Sequence, residues 1–462
     1  MSANYSTDLT EGGVAKRLLR FSLPFLLSTF IQQLYNMADM VIVSYFGGAA
    51  SEAGVSGVYN GGQVTFLATA LAIGISVGGT ILVGQYFGAK RMDDLKKTVS
   101  TMMTALIAAA VLMTVLFLVF DDQILTLLRV PADSFSEAKG YLDVCLIGLI
   151  FIFMYNSISG VMRGMGDSKR PLIFVGGACL LNVGLDFLFV AGFHMGARGA
   201  AIATVISQAA SVLVSALYLA KSGFVFDFMP KSFKVHREKL RLIMQLGIPA
   251  GVQQLFVTMS FMVMTVLVNG YEVDASAAAG LTARFNGFAI LPSMAISNSV
   301  SMMCAQNFGA KRHDRAIHTM RLGMVMAAAL SVIVFAAAQF FPEQVMRLFS
   351  NKQGVIDQGV IYMRAFSWDY LIVPFTFNLS GIFNGGGHTT VTLVSSVLSS
   401  VALRVPAALL LSQTLGLQMA GVGYAAPLAS AGALVFLGVF FLTGRWKTAV
   451  INKSPAAAAA EV

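Results

Sequence analysis

The sequence predicts an all-α integral membrane protein with twelve transmembrane helices in two related six-helix halves. Composition gives the first reason: 56% of residues are hydrophobic and 11% charged, whereas roughly a quarter of the residues in soluble proteins are charged. The second is a succession of apolar runs, each long enough to cross a hydrocarbon core of about 30 Å as a helix. The third is an internal repeat. Gly84-Gln85-Tyr86-Phe87-Gly88-Ala89-Lys90-Arg91 returns as Ala305-Gln306-Asn307-Phe308-Gly309-Ala310-Lys311-Arg312.

Taken in order, the runs predict spans at 18–45, 55–83, 97–120, 137–162, 171–193 and 199–220. The first follows a polar stretch holding Asp8 and Glu11. Its apolar run, Leu18 to Phe46, is much longer than a signal-peptide core, so it is expected to remain as a helix. A second set follows at 240–268, 278–304, 317–341, 359–383, 389–412 and 419–443. Between the sets, Phe and Lys alternate without a span-length apolar core. The expected organisation is an amino-terminal six-helix lobe at 1–220, a cytoplasmic linker at 221–239, a carboxy-terminal lobe at 240–443 and a cytoplasmic tail at 444–462.

Loop charges orient the spans. Lys16/Arg17/Arg20, Lys90/Arg91/Lys96/Lys97, Lys169/Arg170, Lys231/Lys234/Arg237/Lys239 and Lys311/Arg312/Arg315 fall on one side. Glu52, Asp121/Asp122, Glu272/Asp274 and Glu343 fall on the other. By the positive-inside rule both termini and the linker face the cytoplasm of a multi-pass cell-membrane protein. The net charge of +9 is spent on these short clusters, so no nucleic-acid partner is expected; the surrounding partner is membrane lipid. Cys145, Cys179 and Cys304 lie within spans without metal spacing and read as packing residues.

The displacement that superposes the Lys-Arg endings also carries Ser159-Gly160-Val161-Met162-Arg163-Gly164 onto Ser380-Gly381-Ile382-Phe383-Asn384-Gly385. With six spans each, the halves have parallel topology and are expected to be related by an axis along the membrane normal.

Ionisable groups within a bilayer are costly and mark function by default. Asp39 and Asp186 are the acids best placed inside spans: each lies eight residues before an outer end, at Gly47 and His194, hence roughly 12 Å deep at 1.5 Å per residue. Asn182 lies one turn before Asp186 on the same face, and Thr204 enters span six near that level. This oxygen-rich set suits a small hard cation such as sodium. It suits a proton equally, since a carboxyl taken out of water beside a second carboxyl is a ready acceptor. Gln32, Tyr35, Asn36 and Asp39 form one polar stripe. Its repeat positions, Val257, Phe261 and Met264, are apolar, so ion chemistry is expected in the first half alone. Pro24 frees a carbonyl below Asp39 and permits a bend. Met154 and Tyr155, near Asn156, offer flexible and flat apolar surface to a substrate cavity. Asp143, Arg364 and Asp369 are read as gating or surface groups near outer ends, where headgroups solvate them; Arg284 and Arg404 also lie within or near spans, and nothing in the sequence supports a counter-charge role for them.

The duplicated Gln-x-Phe-Gly-Ala-Lys-Arg endings, Pro24 with Asn36-Met37-Ala38-Asp39, and Asn182-Val183-Gly184-Leu185-Asp186 together resemble the multidrug and toxic compound extrusion (MATE) family. The resemblance covers essentially all twelve spans. It implies two lobes in a V-shaped arrangement, exporting lipophilic or cationic organic compounds against inward proton or sodium movement, with no cofactor. It also implies cation binding at Asp39, Asn182, Asp186 and Thr204, a substrate cavity near Gln32 and Asn156, and a hinge at Pro24. Members with a carboxyl-lobe ion site carry acids mid-span in spans seven and ten. Here span seven shows Gln253 and Gln254, and Asp369 is displaced by about one turn.

Two other readings are weaker. A flippase for lipids or lipid-linked precursors, as in relatives of the same superfamily, often needs extra spans or a strongly cationic cavity, and neither is evident. Gly164-Met165-Gly166-Asp167 matches the GxGD signature of intramembrane aspartyl proteases, but it lies in a basic loop and its repeat partner, Gly385-Gly386-Gly387-His388, lacks the acid. A tight turn is expected there. No Walker lysine motif and no HExxH spacing occurs, so the chain is expected to be a carrier and not an enzyme. Nothing in the sequence calls for a second copy, and a monomer is expected.

Overall fold

The computed structural model describes residues 7–47 and 51–452. Among these the regular structure is entirely helical. Spans one to three are Val14–Phe46, Ser51–Gly88 and Met92–Val119. Span four is a bent pair, Ala132–Ile147 and Leu149–Gly164, turned by 50° at Gly148. Spans five and six are Lys169–Gly192 and Gly196–Lys221, and span seven is Arg237–Asn269. Span eight runs from Val273 to Gly309, span nine is His313–Phe340 and span ten Gln353–Gly386. Spans eleven and twelve are Thr389–Thr414 and Gln418–Leu442. The twelve-helix, all-α membrane class is therefore the observed one. Several helices start before the apolar run does, because a helix continues through the headgroup region as long as its amides have partners.

Residues cluster into two compact units, and two of the boundaries between them fall inside helices. One unit contains Leu27–Gly251; the other contains Leu9–Leu26 and the chain from Val252 onward. The opening turns of spans one and seven are thus each assigned with the other half's helices, a feature that lobe boundaries at 220 and 240 do not anticipate. Each switch lies two residues after a helix-interior proline, Pro24 or Pro249.

In the first unit, span seven opens against span two through glycine. A Cβ on Gly74 would lie 2.5 Å from the Gly247 carbonyl oxygen, and one on Gly78 would lie 2.8 Å from the Gly247 nitrogen. The Gly74-x-x-x-Gly78 and Gly247-x-x-x-Gly251 rows therefore let two backbones touch, a standard means of helix association in lipid. Nearby, the buried Lys239 ammonium lies 2.6 Å from Asp94 Oδ1 and donates to the Tyr86 hydroxyl at 2.9 Å. Thr101 Oγ1 accepts from His236 N at 3.1 Å, which ties the linker to span three.

The second unit repeats this arrangement with different side chains. Leu9 N donates to Gln306 Oε1 at 2.9 Å, Arg312 Nη1 donates to the Thr10 carbonyl at 2.6 Å, and Arg315 reaches the carbonyls of Gly12 and Glu11 at 2.8 and 2.9 Å. In both halves the duplicated Gly-Ala-Lys-Arg corner turns through a left-handed lysine, with φ 58° at Lys90 and at Lys311. The repeat therefore builds a clamp on the segment entering a proline-bearing helix. The tail is anchored at its start, where Trp446 Nε1 donates to the Phe441 carbonyl at 2.7 Å; residues from 453 onward lie outside the described ones.

Candidate functional site

Spans one, five and six bring Asp39, Asn182, Asp186 and Thr204 together inside the first unit. Their exposures are 3%, 1%, 0% and 6%, so bulk water does not solvate them. Thr204 is the junction: its hydroxyl lies 3.4 Å from Asp39 Oδ2, to which it donates, and 3.4 Å from Asn182 Nδ2, from which it accepts. Asp39 Oδ1, Asn182 Oδ1 and both oxygens of Asp186 have no hydrogen-bond partner. Buried polar atoms are normally satisfied, and each exception calls for an explanation. Four unsatisfied oxygens from two carboxyls and an amide attract a cation or a proton, and repel an anion. Among the described residues no group of three or more His, Cys, Asp or Glu side chains is placed to hold a metal ion. The donor set of Asp39, Asn182, Asp186 and Thr204 consists of hard oxygens, a kind that suits sodium better than a softer transition metal.

The sequence places these groups by simple means. Asp39 lies on the stripe of span one that faces inward, and the residues one turn farther out, Ile42 and Val43, pack with Tyr141, Cys145, Val190, Ala197 and Ala200 in an apolar cluster. Asp186 is the last residue of the α-helical part of span five, and a π-helical stretch, Phe187–Gly192, follows directly. π turns of this kind are frequent at functional sites because they redirect side chains within a continuous helix. Small residues on span six, among them Ala200, Ala201 and Ala203, are fully buried and let spans close on the pocket.

The remaining expected site residues divide. Tyr35 is half-buried and joins the group: with Cys179, Asn182, Thr204, Ser207 and Gln208 it lines a cavity of about 10 Å³ beside the carboxyls, about the space one water needs. Ser207 and Gln208 were not singled out from the sequence, yet Ser207 Oγ and Gln208 Oε1 are also buried without partners. Their positions three and four residues after Thr204 on one helix face were the available signal. Gln32 is half-buried on span one, and the Asn36 side chain lies outside the described residues. On span four Met154 is half-buried, and Asn156 bonds its own helix through Nδ2 to the Ile152 carbonyl at 2.8 Å. Pro24 is buried two residues before the unit switch.

Two other expectations about charged residues meet different outcomes. Asp167, in the GxGD-like stretch, accepts from the backbone amides of Lys169 and Arg170 at 3.0 and 3.2 Å and so caps the start of span five. Asp369, expected to be solvated near an outer end, is only 3% exposed. The reason is length: span ten is a 34-residue helix starting at Gln353, which puts Asp369 near its middle.

A family model described as MatE matches residues 24–188 and 249–410, two stretches that each open on a helix-interior proline. The chain is 31% identical to the probable multidrug resistance protein YpnP of Bacillus subtilis, over 95% of this chain and 97% of that protein. It is 24% identical to the probable multidrug resistance protein NorM of Thermotoga maritima, over 97% of each. Among solved structures, a MATE crystal structure in the bent conformation aligns with a TM-score of 0.87 at 23% identity, covering 95% of this chain and 96% of that one. The outward-facing conformation of a multidrug resistance MATE family transporter aligns with a TM-score of 0.85 at 24% identity and the same coverage.

Proposed function

The chain belongs to the MatE family and is a multi-pass membrane protein, and from this premise we propose that it is a secondary active multidrug exporter, antiporting lipophilic or cationic organic compounds against protons or sodium by alternating access. The observation that carries this reading is the set of four unpartnered oxygens on Asp39, Asn182 and Asp186, buried among spans one, five and six. Two carboxyls in one dry pocket cannot both stay ionised at low cost, so the pocket binds a cation or a proton strongly when it is available. An ion that binds one conformation better than another shifts the balance between them by that difference in affinity, and this is all that coupling requires.

In the proposed cycle the outward-facing protein takes up the cation at Asp39, Asn182, Asp186 and Thr204. Span one then bends at Pro24, a role supported by the position of that proline just before the unit switch. Substrate leaves on the outer side from a cavity near Gln32, Tyr35, Asn36, Met154 and Asn156. The ion is released to the cytoplasm, the side on which both termini and the linker are proposed to lie, and the carrier returns. The names of the relatives, probable multidrug resistance proteins, support organic substrates of mixed shape.

The test is efflux of a fluorescent cationic dye from proteoliposomes under a proton gradient alone and a sodium gradient alone. Wild type is expected to pump with one of them, and Asp39→Asn to pump with neither while binding the dye as before. Equal pumping by Asp39→Asn under the gradient that drives wild type contradicts the proposal.

A further inference from the structure

The cavity beside the carboxyls has a definite place along its three helices. Tyr35 lies four residues before Asp39 in span one, Cys179 seven before Asp186 in span five, and Ser207 and Gln208 three and four after Thr204 in span six. Spans one and five leave the side that carries the basic clusters and span six returns to it. All three displacements therefore point the same way, one to two helical turns toward the basic side. Asn182 and Thr204 line the cavity too, and Thr204 bonds both Asn182 and Asp39, so the cavity adjoins the carboxyl group on its basic-side flank.

Three oxygens that line this cavity are buried without a partner: Asn182 Oδ1, Ser207 Oγ and Gln208 Oε1. Ser207 is only 2% exposed, and a buried hydroxyl is normally bonded. The next hydroxyls along the same face of span six are bonded. Ser211 Oγ donates to the Phe174 carbonyl at 3.3 Å and Ser215 Oγ to the Val212 carbonyl at 2.9 Å. The unmet oxygens thus end one turn from Thr204, around a cavity of about 10 Å³, which suits one particle the size of a water molecule. Neutral hard oxygens next to two carboxyls are what a small cation needs when it gives up its water. A proton held on a carboxyl needs none of them.

We propose that this cavity is an inner subsite for the coupling cation, in which Asn182, Ser207 and Gln208 hold a sodium or a hydronium ion with Asp39 and Asp186 one turn farther out. For the role of that ion the inference rests on the export reading above, which it deepens: an ion that enters at the carboxyls steps inward onto neutral oxygens, which hold it less tightly than two charges do and release it more readily. As a cation-binding subsite it stands without that reading.

The experiment measures binding to the purified full-length protein with no gradient and no dye. Sodium is titrated by calorimetry at fixed pH, and protons by indicator absorbance in weakly buffered, sodium-free solution. Ser207→Thr and Ser207→Val add side chains of nearly equal shape that differ by the hydroxyl, and their thermal midpoints report folding. Wild type is expected to bind one of the two cations, with Ser207→Thr within about twofold of it and Ser207→Val weaker by at least about tenfold, the scale of one hydrogen bond to a charged group. For a proton that loss reads as a titration midpoint lower by about one pH unit. Gln208→Met, which keeps length and removes the oxygen, is expected to weaken binding likewise and serves if Ser207→Val does not fold. Equal affinity in Ser207→Thr and Ser207→Val, wild-type affinity in Gln208→Met, or a wild type that binds neither cation overturns the proposal. The expected binding pattern without dye efflux under either gradient would count against the export reading and leave this subsite standing.

Discussion

Thr204 donates to one carboxyl and accepts from the amide at 3.4 Å each, and so fixes the spacing of Asp39 and Asn182. Thr204→Ala removes one oxygen from the set and leaves Asn182 Nδ2 without that acceptor. Its expected effect is a weakening of coupling-ion affinity by about tenfold, the scale of one hydrogen bond to a charged group, with maximal efflux rate largely kept. Dye efflux measured across a series of ion concentrations checks this, with Thr204→Ser expected to restore the wild-type curve; an unshifted Thr204→Ala curve would remove Thr204 from the site. Asp39, Asn182, Asp186 and Thr204 could be placed from the sequence because depth follows from counting residues along a helix, and because a carboxyl in lipid is conspicuous. Ser207 and Gln208 escaped because hydroxyls and amides are common in spans, and only burial without a partner separates them from ordinary ones. Asp369 escaped for the opposite reason: counting from the end of an apolar run misplaces a residue when the helix starts several residues before the run does.

The clearest expectation for the helical elements concerns the glycine rows of spans two and seven. Gly78→Val would push a side chain into the backbone of Gly247 and Ile243, and backbone cannot yield as a flexible side chain does. Overpacking of this kind costs about 1–3 kcal/mol. The purified protein should unfold at a temperature lower by at least about 2 °C, whereas Gly176→Ala, which meets nothing within 4 Å, should hold or raise the midpoint. Equal midpoints for the two variants would mean that spans two and seven are not locked there. The Gly-x-x-x-Gly spacing is visible in the chain, but 44 glycines offer many such pairs, and only contact picks out this one. The π-helical stretches Phe187–Gly192 and Leu398–Arg404 carry no sequence signal of their own, since Leu, Phe, Val, Ser and Ala recur throughout the α-helical spans. By contrast the duplicated Lys-Arg corners were readable as repeats, and their work as clamps on the segments entering spans one and seven became visible only with the partners in place.

At the level of the whole molecule, the bilayer makes the chain easy to read. Every backbone amide in lipid must bond within its own helix, so apolar runs translate directly into spans, and the count of twelve follows. The division into compact units was hidden, because each switch occurs inside a continuous helix just after Pro24 or Pro249 and leaves no loop to mark it. The central claim is that the pocket of Asp39 and Asp186 carries the ion whose movement drives export. Its most direct test adds dye on the cytoplasmic-side equivalent of proteoliposomes, with no ion gradient imposed, and records counter-movement of protons and sodium by lumenal indicators. Wild type should show one ion moving opposite to the dye, and the Asp39→Asn/Asp186→Asn double variant none. Ion movement of wild-type size in the double variant, with dye transport intact, would contradict the account.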